Sequence, residues 1–230
     1  LLKSELYAFA EAYRFILSVR CHLHYRSNRE DDTLATDSQI DLAEKMNFRK
    51  KAFQSPVERF MKRYFLATKT VGNLTRIFCS AIEDDFKKSL RLNLFNKTKI
   101  TIEKPFYLNN RKISVKHKDV FLKEPKNIIK LFYISHLSET EIHPQTLRYL
   151  PDCAKLLKKK FINNEEINNY FVDILTSKVD PSKVLRIMNE ANVLGRFVPD
   201  FQKVVGLIQY DMYHYYSVDE HTIFTIHNIH

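Results

Sequence analysis

The sequence predicts a mainly α protein, an irregular helical bundle with a small β-hairpin or meander inserted around residues 98–122. Three observations carry that prediction. The 230 residues hold only three glycines and no tryptophan, and long stretches lack turn chemistry, which leaves few places for a helix to break. Apolar residues recur at three-four spacing through most of the chain, the period of one helix face. Between residues 98 and 122 that rhythm gives way to alternation, the period of a half-buried strand.

Leu2, Leu6, Phe9, Tyr13, Ile16, Leu17 and Leu23 share a helical period, so residues 4–25 are predicted as an amphipathic helix ended by the polar run Ser27 to Asp32. Thr36 followed by Gln39 is a capping-box signature for a helix running through Met46. Ser55-Pro56-Val57-Glu58 is a stronger start, with a cap, a proline at the first helical position and a glutamate reaching back. From there Val57, Phe60, Met61, Tyr64, Val71, Leu74, Phe78, Ala81, Ile82 and Phe86 keep the spacing for about nine turns. That stripe reads as core, and Gly72 within it marks a bend or a close helix crossing.

Ile100 and Ile102, then Ile113, Val115 and His117, alternate with polar residues, and Asn109-Asn110 between them tolerates positive φ. Glu124-Pro125 restarts helix, with Ile128, Ile129 and Phe132 on one face. His143-Pro144 opens another, which Pro151 kinks or replaces with a new one. Asn164 caps a segment containing Ile167, Phe171 and Leu175, and Asp180-Pro181 opens a helix that Gly195 closes as its left-handed terminator. Ser217 with Glu220 again fits a capping box, so the last helix starts at Val218, with His221 in its first turn beside Asp219 and Glu220. His227 and His230, three apart further along, read as chance spacing or fraying.

These elements suggest a long-helix bundle over 1–97, a β insertion over 98–124, a short-helix subdomain over 125–205 and the start of a further domain over 206–230. The net charge of +10 admits an anionic partner: nucleic acid, nucleotide or an acidic protein face. Arg49-Lys50-Lys51 and Lys158-Lys159-Lys160 are short and far apart, and no recognition module is present, so nucleic-acid binding is not expected. No apolar run approaches the roughly 20 residues of a membrane span, and no signal-peptide pattern opens the chain. Cys21, Cys79 and Cys153 are odd in number and widely spaced, which fits free buried thiols in a reducing cytoplasm. Beginning at Leu1 and stopping within a helical pattern at His230, the chain reads as a piece of a longer one.

Six segments carry a resemblance. Phe15-Ile16-Leu17-Ser18-Val19-Arg20 through His24, Asp37-Ser38-Gln39 with Ala43, and Val57-Glu58-Arg59-Phe60-Met61 with Tyr64 form the first three. Ile142-His143 with Thr146-Leu147-Arg148, Asn189 to Phe201, and Asp211-Met212-Tyr213-His214 through Thr222 form the others. Together they resemble the central region of the bifunctional uridylyltransferase/uridylyl-removing enzymes, which modify the nitrogen-signalling PII protein. The sequence departs from the family pattern at Asn192, where glycine is usual three residues before Gly195, and at Ser217, where threonine is usual.

The resemblance implies a helical region linking a nucleotidyltransferase domain to a metal-dependent HD phosphohydrolase domain, of which residues 206–230 would be the first edge. It implies UTP and a PII-type protein as partners of the whole enzyme, and Mg or Mn as its divalent metal. The chain contains neither the strand-borne Asp-x-Asp of the transferase nor any His-Asp dipeptide, so catalysis is not expected of it alone. No cofactor is expected in it either, because one imidazole cannot hold a divalent ion.

His221 matches the first histidine of the HD metal site. His214 lines the hydrolase pocket or makes a structural hydrogen bond, and Asp219 lies in the same motif. Arg148 and Arg196 suit a phosphate-bearing partner or, as readily, cap a helix or pair with Glu190 or Asp200. Arg20 is expected in a buried ion pair between helices. A reading from a different class also fits the sequence: a non-enzymatic helical module that docks an acidic partner through its basic faces.

Overall fold

The computed structural model describes residues 3–51, 54–90, 102–109, 111–157, 161, 163–208 and 217–230, with the backbone alone described at residues 4, 80, 81 and 83–90. It is mainly α, with 11 helices and one two-stranded antiparallel sheet among these residues. The order is α1 (Lys3–Ser27), α2 (Thr36–Lys45), α3 (Pro56–Leu90), β1 (Tyr107–Asn109), β2 (Lys112–Ser114), α4 (Asp119–Lys123), α5 (Lys126–Leu137) and α6 (Pro144–Cys153). A 3-10 turn (Ala154–Leu156), α7 (Glu165–Thr176), α8 (Ser182–Glu190), α9 (Leu194–Phe197), α10 (Pro199–Val204) and α11 (Val218–Ile229) follow. The chain forms two compact units, residues 1–76 with 204–221 and residues 77–203 with 222–230.

In the first unit α1 buries Ala12, Phe15, Val19 and Leu23, a set at three-four spacing. The helix is where its periodicity put it, but the buried face only partly matches the predicted stripe: Leu23 is buried and Ile16 packs against the core, whereas Leu6, Tyr13 and Leu17 are 51%, 48% and 36% exposed. Both faces are periodic. The aromatic cluster that Phe15 joins, with Phe48 and Phe60 at 6.4 and 6.2 Å between ring centroids, decides between them. Ser27 Oγ donates to the Leu23 and Arg29 carbonyls, and Asn28 turns the chain at φ 51°. Asp32 then reaches back to Arg20 Nε at 2.8 Å and His24 Nε2 at 2.9 Å. His24, and after it Arg20, hold the Asp32 carboxyl below the usual carboxylate range. The Arg20 pair therefore ties a loop to α1 at the exposed surface rather than joining two helices in the interior, where water leaves it little net strength.

Two start signals resolve differently. At Thr36 the residue preceding the helix is Ala35, which makes no side-chain cap, and Gln39 donates its side-chain amide to the Leu34 carbonyl. At α3 the box is complete. Glu58 Oε2 accepts from the Ser55 amide at 2.7 Å, and Ser55 Oγ accepts from the Glu58 amide at 3.3 Å, so two otherwise orphaned N–H groups are satisfied. Val57, Phe60, Met61 and Ala67 of α3 are buried, whereas Phe78 and Ile82 are 52% and 38% exposed. Among its described side chains the stripe is core only over its first turns, and the side chains of Ala81 and Phe86 lie outside the described residues. Among the described residues, no atom beyond the helix's own neighbouring backbone lies within 4 Å of where a Gly72 side chain would stand, so no close crossing is seen there.

In the second unit the hairpin pairs Tyr107 with Ser114, Leu108 with Ile113 and Asn109 with Lys112. Ile102 lies outside both strands, and the described left-handed residue at the turn is Arg111 (φ 62°). Asn110 and Ile100 lie outside the described residues. The Ile113 amide donates to the Glu141 carbonyl and the His143 amide to the Ile113 carbonyl, both at 2.8 Å. These bonds pin the hairpin to the start of α6, where His143 Nδ1 accepts from the Gln145 amide. Asn164 Oδ1 caps α7 through the Ile167 amide at 3.1 Å, as predicted. Helices α5 and α7 make the main packing of this unit, with Ile128, Ile129, Leu131, Phe132, Ile167 and Ile174 fully buried.

The end of α8 corrects the reading of Gly195. Asn192 (φ 57°) is the left-handed terminator, and the Val193 amide closes back on the Met188 carbonyl at 2.9 Å. Asparagine tolerates this conformation better than most residues. Gly195 sits inside α9 for a different reason: a Cβ there would stand 2.5 Å from Gln202 Oε1 and 3.1 Å from Gln202 Cα. The glycine permits a close approach of α10. Cys153 is buried, but Cys21 and Cys79 are exposed, so two of the three thiols depart from the buried role expected of them.

Candidate functional site

Helix α11 starts at Val218, as the Ser217-to-Glu220 spacing predicts. Its first turn belongs to the unit of residues 1–76 and 204–221, and two hydrogen bonds fix it there. The Val218 amide donates to the Leu207 carbonyl at 2.8 Å, and Asp219 Oδ1 accepts from the Gly206 amide at 3.0 Å. Gly206 holds φ 63°, a left-handed conformation that a side chain would strain. Asp219 is 3% exposed and Ser217 4%, whereas His221, whose amide donates to the Ser217 carbonyl at 2.9 Å, is exposed. The imidazole is therefore presented at the surface from a rigid helix start, with a carboxylate turned inward two residues before it.

The other candidates are placed separately. Arg148 is half-buried on α6, and Arg196 is exposed on α9, both in the second unit. Asp200, one suggested partner of Arg196, pairs instead with Lys203 at 2.6 Å. His214 lies outside the described residues. Among the described residues no three His, Cys, Asp or Glu side chains are grouped so that they could hold a metal ion. His221 has the exposure a ligand needs, and it can supply one ligand of a set.

The second unit holds a polar cluster that sequence reasoning passed over. His227 Nδ1 lies 2.7 Å from Asp180 Oδ2, and His230 Nε2 lies 3.0 Å from the Ser177 carbonyl. The HxxH spacing read as chance puts both imidazoles on the connection between α7 and α8. From α5, buried His136 places Nε2 2.6 Å from Ser177 Oγ. That hydroxyl donates to the Val179 carbonyl, which leaves its lone pairs to accept from the imidazole. Burial pushes the Asp180 carboxyl up, but the Ser182 amide, the Ser182 hydroxyl and His227 together hold it below the usual range.

Burial lowers the His136 pKa from its ordinary 6.5; nearby Asp180 opposes this and His230 adds to it. Because the folded state resists protonation, its stability contribution is present above pH 6.5 and is lost as the pH falls below that value. Stability of this unit should therefore drop as the pH is lowered from 7 through 6.5 and below, read as smaller protection factors over residues 126–137 once each exchange rate is divided by the intrinsic rate at that pH. In His136→Gln the drop should flatten, and an unchanged slope would contradict this assignment.

Comparison with known proteins gives the family. A model described as GlnD PII-uridylyltransferase matches residues 1–79, and one described as Uridylyltransferase GlnD third domain matches residues 106–197. The bifunctional uridylyltransferase/uridylyl-removing enzyme of Azospirillum brasilense is 40% identical over 233 residues, an alignment covering 100% of this chain and 25% of that relative. The chain thus spans about a quarter of the length of the relative it matches. No solved structure matches it. His221 lies beyond both family-model matches and within the full-length alignment. From the long helices of residues 1–79 to the hairpin and short helices of residues 106–197, the chain belongs to the GlnD family of PII uridylyltransferases.

Proposed function

We propose that this chain is the helical linking region, with the first edge of the HD phosphohydrolase domain, of an enzyme that transfers UMP from UTP to a PII-type protein and removes it by hydrolysis. The two GlnD models falling in order along one chain, together with 40% identity over its whole length, are what carries this reading. On it, residues 1–97 are the linking bundle, 98–124 its β insertion, 125–205 a short-helix subdomain and 206–230 the beginning of the hydrolase. Neither catalytic centre is complete in these residues, and the enzyme works in the cytoplasm.

In the whole enzyme His221 would be one ligand of a divalent metal, Mg or Mn, with its neutral imidazole nitrogen as donor. When bound, that metal supplies Lewis acidity and an activated water for attack on the phosphodiester joining UMP to the protein. This chain's own part is to present the imidazole from a fixed helix start. His214 and Asp219 belong to the same segment, and Arg148 and Arg196 are candidate contacts for phosphate or for the protein substrate.

The test is an assay of the full-length protein with a PII-type protein, UTP and Mg or Mn. UMP should appear on the PII-type protein and, in the reverse assay, be released from it. A protein that leaves UTP untouched and clears no UMP would overturn the proposal.

A further inference from the structure

We propose that Asp219 is a positioning residue for uridylyl removal: bonded to the Gly206 amide, its carboxylate fixes where α11 begins and hence where the His221 imidazole stands. The inference rests on the proposed function, in which His221 belongs to the hydrolase site.

The argument starts from the burial of a charge. An aspartate in the first turn of a helix ordinarily faces water, where it complements the positive end of the helix dipole. Asp219 is instead 3% exposed, and a buried carboxylate is costly unless hydrogen-bonded. Its described bond is to a backbone amide 13 residues away, that of Gly206, at 3.0 Å. The parallel bond from the Val218 amide to the Leu207 carbonyl makes two successive residues of α11 grip two successive residues of one turn. A pair of bonds of this kind sets both the height and the rotation of a helix start.

The rotation decides what His221 does. Residues two apart on an α-helix point about 200° away from each other, so an inward Asp219 entails an outward His221, as observed. The same geometry turns the carboxylate away from the exposed imidazole, which argues against Asp219 as a partner ligand. Its chemistry is that of an acceptor. An asparagine there keeps a carbonyl oxygen for the Gly206 amide, and an alanine does not.

The experiment compares Asp219→Ala and Asp219→Asn in the full-length protein. In the alanine variant kcat for UMP removal should fall by about tenfold, the cost of a small misplacement of a reacting group, with KM for the modified PII-type protein and the rate of UMP transfer unchanged. Mn bound at a fixed free concentration, counted by electron paramagnetic resonance, should fall in step, and exchange of the amides over residues 204–208 should quicken. The asparagine variant should stay within about twofold of the parent protein in all four readouts.

Alanine behaving like the parent despite a freely exchanging turn would overturn positioning. Asparagine as damaging as alanine would overturn it too, by showing that the negative charge is what matters. Should alanine abolish both activities through misfolding, the asparagine variant decides alone: parent-like supports the proposal, and impaired sinks it. If the unaltered protein releases no UMP, the proposed function fails, while the exchange comparison still reports whether Asp219 holds the turn.

Discussion

Replacing His221 with alanine in the full-length protein should suppress UMP removal by at least about 100-fold while UMP transfer continues at its normal rate. Groups that merely support a metal ligand cost roughly 10–100-fold when lost, so loss of a ligand itself sets the expectation at the upper end or beyond. The two activities should part because the exposed imidazole stands at the edge of the proposed hydrolase, and the transferase carboxylates are not in this chain. The substitution should also be structurally mild. His221 is exposed, and surface changes usually stay within about 0.5 kcal/mol. Release of UMP from modified PII-type protein, followed beside UMP incorporation, gives the comparison. Removal at the normal rate in His221→Ala would take the residue out of the site.

Phe60→Ala should destabilise the unit of residues 1–76 and 204–221 by about 3–5 kcal/mol, the usual cost of truncating a buried phenylalanine. Phe60 is 0% exposed and is the shared member of an aromatic group. Phe48 meets it edge-on at 5.5 Å, Phe15 at 6.2 Å and Tyr64 at 6.5 Å. Its removal therefore leaves a cavity whose walls are three other rings, and stiff side chains close such a gap poorly. Tyr25→Ala is the control, since Tyr25 is 82% exposed. Hydrogen exchange over residues 56–76 in mild urea should show a large loss of protection for the first variant and almost none for the second. Equal protection in both would mean that this aromatic group does not hold the unit together.

Which parts of this were legible beforehand follows from how local each signal is. The cap at Asn164, the reciprocal box at Ser55 and Glu58 and the start of α11 at Val218 depend on residues within one turn of each other, and the chain shows them directly. The buried face of α1 does not work that way. Two faces share the period, and Phe48 and Phe60, from other segments, choose the one with Ala12 and Phe15. The end of α8 was misread because glycine is the commoner left-handed residue; Asn192 takes that role, and Gly195 answers to Gln202 seven residues on. The inward turn of Asp219 and the reach of His227 and His230 to Asp180 and Ser177 are long-range facts. Nothing in the spacing of the histidines names a partner roughly fifty residues earlier.

The three thiols give the molecule a native clock. Cys21 and Cys79 are open to an alkylating reagent, and Cys153 is sealed at 1% exposure in the core of the second unit, where burial also raises its pKa. A maleimide will therefore mark two sulfurs at once and the third only when that interior opens. The delay before the third adduct, read by intact mass, times the breathing of the residues that carry α5 to α8. No engineered probe is needed to watch it.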